Sequence, residues 1–592
     1  MGNPLIKTPW TEAFLVPGYE VKKDGLFVDD PEDEKSQIRL TEAPFWYHST
    51  LVDLDTKEAK IELRYYIEGI THKLFIDRSL FYSQGWLSSL ANQYKLPIAP
   101  HQQRSISTYL YFADMRCSKI GYTLSHAGWT TLPDGTLEYV PFGSVQPDPE
   151  SAGIKKRFSF IKSNGDEKKW CDTIFSMLEA NPLAVIPFAG SLAAPLLSLL
   201  SLPSVVIDVH NTSSSGKTIA CSAAMSIWGK PDQLKINWDS TKIALEQNAI
   251  AFSDLPLFFD ESQLAFPKDV GTSVYNVANG MGRERGAAGG GTRLTGTWST
   301  VLISTGEQSL LSLIPQSFAG LDARIIPVEG KTLQNLDAKG AQSLARVVQN
   351  NYGFLAPKYT DHLKRADKAK LFESYTTHLE YIRKLVYPSD VIQMRKSETY
   401  AALFVAIDQL LVIYPEYREK IYVLWYSVLS FWQELCKQHS SEQIAHRALS
   451  CLLSRCYANV SRFKSDDNAH TERFGTVYKK QFALYPPMFE KLCKEHGFQP
   501  ENILREFAQR GWLRLNSKGG YKVRTTDSGI TKETKQFYSF SDLAVEVYSG
   551  TKNMTPDDYE DELIEAWQKG IDAGLPKYEE RLVMKDLRFD QE

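Results

Sequence analysis

Residues 204–218 read Ser204-Val-Val-Ile-Asp-Val-His-Asn-Thr-Ser-Ser-Ser-Gly-Lys-Thr218, and this stretch decides the fold. A strand-length apolar run passes straight into Asn211, Thr212, Ser213, Ser214, Ser215, Gly216, Lys217 and Thr218. The eight residues match the phosphate-loop pattern G-x-x-x-x-G-K-[ST] at every fixed position but the first, where Asn replaces Gly. Asn tolerates positive φ better than other non-glycine residues, so the loop is expected to turn there all the same. Ile219–Trp228 then reads as a helix whose N-terminal N–H groups would face phosphate oxygens. In this arrangement Lys217 reaches the β- and γ-phosphates and Thr218 ligates Mg²⁺, so ATP and Mg²⁺ are the expected ligands.

Working outward, Leu255-Pro-Leu-Phe-Phe-Asp-Glu261 is a second apolar strand, ending in two acids. Asp260 at the strand's carboxyl end suits the water shell of the metal, which makes it, with Thr218, the expected metal site. Glu261 suits the polarisation of an attacking water. A third strand, Thr300-Val-Leu-Ile-Ser304, ends in Thr305, whose hydroxyl is placed to orient water or γ-phosphate, the role called sensor 1. Three such motifs in order, on strands separated by helices, predict an α/β multidomain chain built on a P-loop NTPase core with a parallel sheet. An Asn-Lys-x-Asp guanine reader is absent from the sequence, which argues against a GTPase. The nearly all-helical stretch after the sheet points to an AAA+ core with its lid. Arg324, in Gly320-Leu-Asp-Ala-Arg-Ile-Ile-Pro-Val328, precedes the next apolar strand where an arginine finger would reach a neighbouring subunit's γ-phosphate. The alternative is an arginine paired with Asp322 or Glu329. Arg395, opening a lid helix, is a sensor 2 candidate or a solvated arginine.

The domain order follows from the changing periodicity. Residues 1–170 alternate short apolar and polar runs, with the turn Pro133-Asp-Gly135, and predict an α+β domain. Residues 171–335 form the ATPase core and 336–465 a helical lid and linker, in which Tyr400, Leu403, Phe404, Ile407, Leu410, Leu411 and Tyr414 keep one face apolar. Residues 466–545 predict a winged helix: helical patterns Met488–His496 and Glu501–Arg510, then a hairpin of Trp512–Leu515 and Tyr521–Arg524 around Asn516-Ser-Lys-Gly-Gly520. Residues 546–592 form a C-terminal tail, acidic from 553 on.

With a net charge of −4, no global basic field announces nucleic acid, so any DNA surface must be local. Two places qualify. Seven glycines within 280–296 make a pliable segment between the acid pair and Thr305, made cationic by Arg283, Arg285 and Arg293. Ring helicases insert a strand-gripping hairpin at this point, where basic side chains hold phosphates without reading sequence; the alternative is a solvated surface loop. The winged-helix region, residues 479–524, holds ten Lys and Arg against four Glu, net +6. Arg505 and Arg510 lie on its second helix, and Arg514, Lys518, Lys522 and Arg524 on the hairpin. Winged helices also serve protein contacts.

Seven scattered cysteines without a C-x-x-C pair argue against a zinc ribbon or disulfide framework and fit a cytoplasmic location. Asn181–Ile207 lacks charge and is long enough to cross a bilayer, but it contains Pro182, Pro187, Pro195 and Pro203 and runs into the phosphate loop. It is expected to be a buried helix followed by a central strand, with no membrane partner.

Trp129 with its Pro133-Asp-Gly135 turn, the Asn211–Thr218 loop, Asn279-Gly-Met-Gly-Arg-Glu-Arg285, Trp298 through Ser304-Thr-Gly-Glu307, and Ala319-Gly-Leu-Asp-Ala-Arg324 together resemble a domain family of phage, plasmid and mobile-element proteins of unknown function. With the winged helix added, the whole chain resembles the replication helicases of staphylococcal cassette chromosomes, which are similar to MCM helicases. The resemblance covers residues 40–420 by motif and the rest by domain order. It implies a hexameric, self-loading, ATP-driven DNA helicase or translocase acting in DNA replication of a mobile genetic element, with DNA and other replication proteins of the element as partners. The rival readings are a non-unwinding AAA+ ATPase for protein remodelling or element defence, and a DNA-binding regulator whose ATP site only switches conformation.

Overall fold

The structure is a computed structural model that describes residues 8–33, 35–80, 83, 85–149, 151–212, 216–264, 267–282, 296–313, 321–334, 338–386, 391–438, 441–463, 472–496, 498–526 and 534–549. The chain divides into two compact units, Met1–Leu371 with Ala406–Leu424, and Phe372–Val405 with Trp425–Glu592.

The first unit is organised around a five-stranded sheet. Its elements are α1 (Pro182–Leu199), β1 (Val205–His210), α2 (Lys217–Met225), β2 (Ile236–Asn237), β3 (Leu257–Asp260), α3 (Pro267–Asn279), β4 (Val301–Gly306) and β5 (Ile325–Glu329). All neighbouring strands are parallel, in the order β2-β3-β4-β1-β5. Every residue of β1 and β4 is buried, which explains their nearly unbroken apolar runs: a central parallel strand is covered on both faces. The uncharged stretch forms α1, most of it buried. A side chain on Gly190 would come within 2.1 Å of Ile207 Cδ1, so helix and strand approach closer than a Cβ allows. Ser191 ties α1 inward, accepting from Trp228 Nε1 at 2.9 Å and donating to the Ala224 carbonyl at 2.8 Å.

Ahead of this core the chain forms a three-stranded antiparallel sheet and a five-stranded mixed sheet, the latter in the order 146–147, 120–124, 45–53, 59–67, 70–77. Helix Gln103–Arg116 contributes Ile106, Tyr109 and Leu110 to a core shared with Phe45, Tyr47, Ile61 and Leu63. The Pro133-Asp-Gly135 turn joins strands Gly128–Thr131 and Leu137–Val140, and this hairpin docks on the core. Trp129 Nε1 donates to the Pro195 carbonyl at 2.8 Å, the Trp129 N–H to Asp254 Oδ2 at 3.0 Å, and the Tyr139 hydroxyl to the Asp254 carbonyl at 2.6 Å.

The second unit contains helices, a four-stranded sheet and a core that joins helix Ser441–Ala458 to Phe489, Ile503, Phe507, Trp512 and Phe540. Helix Val391–Ile413 differs from its expected single apolar face: every residue from Tyr400 to Ile407 is buried. The helices at Pro486–Glu495 and Pro500–Gln509 lie where their patterns placed them. The glycine-tipped hairpin does not form. Asn516–Gly520 closes a tight turn, but Val523–Thr526 pairs with Thr534–Ser539, and Leu513 touches the sheet through a lone bridge to Phe540. Trp512 and Leu513 are both buried in the core with helix Ser441–Ala458, whereas Val523 stands in register with Phe537 and packs with it against Ala483. A second hairpin, Gly475–Tyr478 with Gln481–Leu484, turns through Lys479 and Lys480 at φ 49° and 67°, without the Asn or Gly that usually signals such a turn.

Candidate functional site

The Asn211–Thr218 loop, the acid pair and Thr305 all lie at or just beyond the carboxyl ends of parallel strands, where open α/β sheets place their ligands. Because β4 lies between β1 and β3, Thr305 stands between the loop that follows β1 and the acids that end β3. Its hydroxyl donates to Asp260 Oδ1 and accepts from the Glu261 N–H at 3.3 Å. Asp260 is 7% exposed. Its other oxygen, Oδ2, faces Lys235 Nζ at 3.0 Å. Glu261 is exposed at φ 64°, a left-handed conformation that is strained for a residue with a Cβ and that is found disproportionately at functional sites.

In the phosphate loop the expected turn at Asn211 is corrected. Among the described residues of the loop, the positive φ belongs to Gly216, at 86°. Asn211 instead folds its side chain onto the Thr212 N–H at 2.7 Å. A Cβ on Gly216 would lie 2.6 Å from Leu333, so glycine is required there for space as well as for conformation. Lys217 is the first residue of α2, and its ammonium donates to the carbonyls of Asn211 at 2.7 Å and Thr212 at 3.0 Å. Burial lowers its pKa, a shift opposed by the charges of Glu307 and Asp260. Thr218 is exposed on the first turn of α2. Ser213, Ser214 and Ser215 lie outside the described residues.

A buried dyad beneath the loop was not singled out from the sequence. Asp208, fully buried in β1, accepts from Ser309 Oγ at 3.1 Å and the Leu310 N–H at 2.7 Å, and pairs with His210 Nδ1 at 3.2 Å. Burial alone would lower the His210 pKa, but the hydrogen bond and charge of Asp208 raise it. The dyad ties the strand that feeds the phosphate loop to the segment after β4. A lone acid inside Val205-Val-Ile-Asp-Val209 was the available signal, since an unpaired charge there would be costly. Lys235 gave no such signal, because its partnership with Asp260 depends on the pairing of β2 with β3.

Arg324 donates to the Ala278 carbonyl at 3.1 Å and to Asn279 Oδ1 at 3.4 Å, the C-terminal end of α3, where the helix dipole favours a cation. The next residues begin an antiparallel stem: Gly282 N–H bonds Gly296 at 2.9 Å, Met281 bridges Thr297, and Trp298 N–H bonds Gly280 at 3.0 Å. Arg283, Arg285 and Arg293 lie beyond this stem and outside the described residues. Arg395 is exposed and belongs to the second unit.

In the second unit the six expected DNA-contacting cations separate into two kinds. Arg514 is bound to Asp542 at 2.6 Å, and Arg510 pairs with Glu506 at 3.3 Å and lies over the Trp512 ring, so both are engaged within the domain. Arg505, Lys518, Lys522 and Arg524 are exposed, although Arg505 donates to Asn502 Oδ1 at 2.5 Å and Lys522 lies over the Tyr538 ring. Arg514, Lys518 and Lys522 precede the strand pair that forms, so of the four cations expected on a hairpin only Arg524 stands on one.

These observations define a class: a multidomain α/β chain with a phosphate-loop sequence at the carboxyl end of an interior strand of its parallel sheet. Its particular likeness is to the cassette-chromosome helicases. Residues 443–543 match the family described as Cch helix turn helix domain, and residues 19–296 match the domain of unknown function DUF927. The fold is shared with the SCCmec type IV Cch active helicase at a TM-score of 0.66 and 18% identity, over 90% of this chain and 99% of that one. At that identity the shared property is the fold. The A form apo structure of the NrS-1 C terminal region aligns at a TM-score of only 0.26 and 10% identity, over 61% of this chain and 87% of that one. No curated protein matches the sequence.

Proposed function

We propose that this chain is an ATP-dependent DNA helicase or translocase of a mobile genetic element, with an AAA+ core, a helical lid and a C-terminal winged helix, acting as an MCM-like ring that is most simply a hexamer. The observation that carries this reading is the convergence of Lys217, Asp260, Glu261 and Thr305 at one end of the sheet, with an antiparallel stem at 280–282 and 296–298 between β3 and β4. Likeness in fold to a helicase supports the choice of DNA as substrate.

Lys217 and the N-terminus of α2 bind the nucleotide phosphates, and leaving its own loop carbonyls frees the ammonium for that contact. Thr218 and Asp260 would hold Mg²⁺; both offer hard oxygen donors, and two protein ligands suit an ion that keeps several waters and shares the phosphates. The metal would neutralise charge developing on the transferred phosphoryl group. Glu261 takes a proton from the attacking water, while Thr305 fixes the carboxylate of Asp260 and the backbone at Glu261. Arg324 belongs to this scheme as the finger for a neighbour's nucleotide, after release from the end of α3. Arg395 is the proposed sensor 2. Arg283, Arg285 and Arg293 grip one strand, and Arg505, Lys518, Lys522 and Arg524 supply phosphate contacts on the winged helix.

Strand displacement on forked DNA, with and without ATP, tests the proposal. Unwinding that requires ATP is the expected result. ATP hydrolysis without displacement would favour a non-unwinding ATPase, and ATP-modulated DNA binding without turnover would favour a switch.

A further inference from the structure

Asp260 must be charged to hold a metal, yet it sits in a nearly closed environment at the end of β3. A buried carboxylate needs compensation for both oxygens. Thr305 supplies a neutral donor to Oδ1, and Lys235 supplies the charge at Oδ2. Lys235 stands just before β2, whose Asn237 is in register with Asp260, so the lysine stem runs along the sheet edge towards the carboxylate. Its side chain is 36% exposed, and a lysine head is a single charge on a flexible stem, able to leave its partner for water. The carboxylate suited to a metal is therefore already held by a protein cation, and no stretch of the sequence foreshadows it.

We propose that Lys235 is a positioning residue that holds Asp260 and competes with Mg²⁺ for it, so that the metal enters only together with the nucleotide's negative charge. This rests on the nucleotide-site reading above. Lys235, Lys217 and a divalent cation all bring positive charge to one small region, and their mutual repulsion is relieved when triphosphate arrives. Mg²⁺ alone must displace an ammonium from a charge-assisted hydrogen bond, whereas Mg²⁺ with ATP brings anions that can receive the released ammonium. The device keeps the acid pair ordered between turnovers and makes metal entry conditional on nucleotide.

The test is Mg²⁺-dependent binding of a fluorescent ATP analogue to the full-length protein, compared with Lys235→Met and Lys235→Arg. Methionine keeps the stem and removes the charge. The Mg²⁺ concentration giving half-maximal binding should fall by about tenfold in Lys235→Met, the low end for a hydrogen bond to a charged group given the partial exposure of the lysine. Affinity at saturating Mg²⁺ should stay close to wild type, and Lys235→Arg should keep the wild-type Mg²⁺ dependence. In the presence of a chelator, Lys235→Met should melt at a lower temperature than wild type and gain more from added Mg²⁺. An unchanged Mg²⁺ midpoint in folded Lys235→Met overturns the proposal and leaves the nucleotide site standing. Weaker binding at saturating Mg²⁺ overturns it too, by making Lys235 a phosphate ligand. If wild type binds no nucleotide at any Mg²⁺ concentration, the nucleotide-site reading falls and takes this one with it.

Discussion

Replacing Thr305 with valine removes one oxygen and almost no volume, so its consequences can be traced to two hydrogen bonds. Thr305 is 2% exposed, and its hydroxyl joins the two acids by donating to Asp260 Oδ1 and accepting from the Glu261 N–H at 3.3 Å. The bond to a carboxylate is worth roughly 1.5–3 kcal/mol, and the long backbone contact adds less. A loss of about 2 kcal/mol felt in the transition state corresponds to about a 30-fold fall in kcat. KM for ATP should change little, because the phosphate loop and Lys217 are untouched. Thr305→Ser keeps the hydroxyl and should retain most of the turnover. The assay is steady-state ATP hydrolysis across ATP concentrations, with thermal melting to show that both variants are folded. Turnover within twofold of wild type in folded Thr305→Val would refute the role given to this hydroxyl.

Four further outcomes are expected. Lys217→Ala should lose most nucleotide binding, while Glu261→Gln should bind normally and turn over slower by roughly two or more orders of magnitude, as read by binding and single-turnover hydrolysis. If Arg324 acts on a neighbour, mixing Arg324→Ala with Lys217→Ala subunits should recover ATPase activity; no recovery at any ratio would leave it the anchor of α3. Asp254 has its pKa pushed up to about 6 by burial, against the opposing Trp129 N–H and Ser198 hydrogen bonds and the charge of His126. A folded pKa above the unfolded one means that stability is lost as pH rises from about 4 through about 6, by roughly 3 kcal/mol in total. Asp254→Asn should therefore melt higher than wild type above pH 6, with a gap closing towards pH 4; a pH-independent gap would sink this account. Arg283→Ala with Arg285→Ala should abolish strand displacement while sparing basal hydrolysis, whereas changing Lys518, Lys522 and Arg524 together should weaken DNA binding and flatten its salt dependence by about one unit of slope per lost contact.

Local physics made the core legible in the sequence. Buried parallel strands must be apolar along their length, and the phosphate-loop pattern fixes the spacing of Gly216 and Lys217 after a strand, so Val205–Thr218, Leu257–Glu261 and Val301–Thr305 could be read as parts of one sheet. The helices at Pro486–Glu495 and Pro500–Gln509 were legible for a similar reason, since their apolar spacing is set by a local period. Pairing between distant segments was not. Whether Tyr521–Arg524 joins Trp512–Leu515 or Thr534–Ser539 depends on which side chains the core accepts, and a turn through Lys479 and Lys480 announces itself by no residue type. The same limit applies to charge. The sequence supplied Asp260, Thr305 and Arg324 as separate groups with suitable chemistry. Only the order β2-β3-β4-β1-β5 brought Thr305 onto Asp260, set Lys235 against its other oxygen and turned Arg324 to the end of α3. Strand order is a property of how sheets and helices bury their faces against one another, and electrostatic partners a few ångströms apart across it carry no trace in linear spacing.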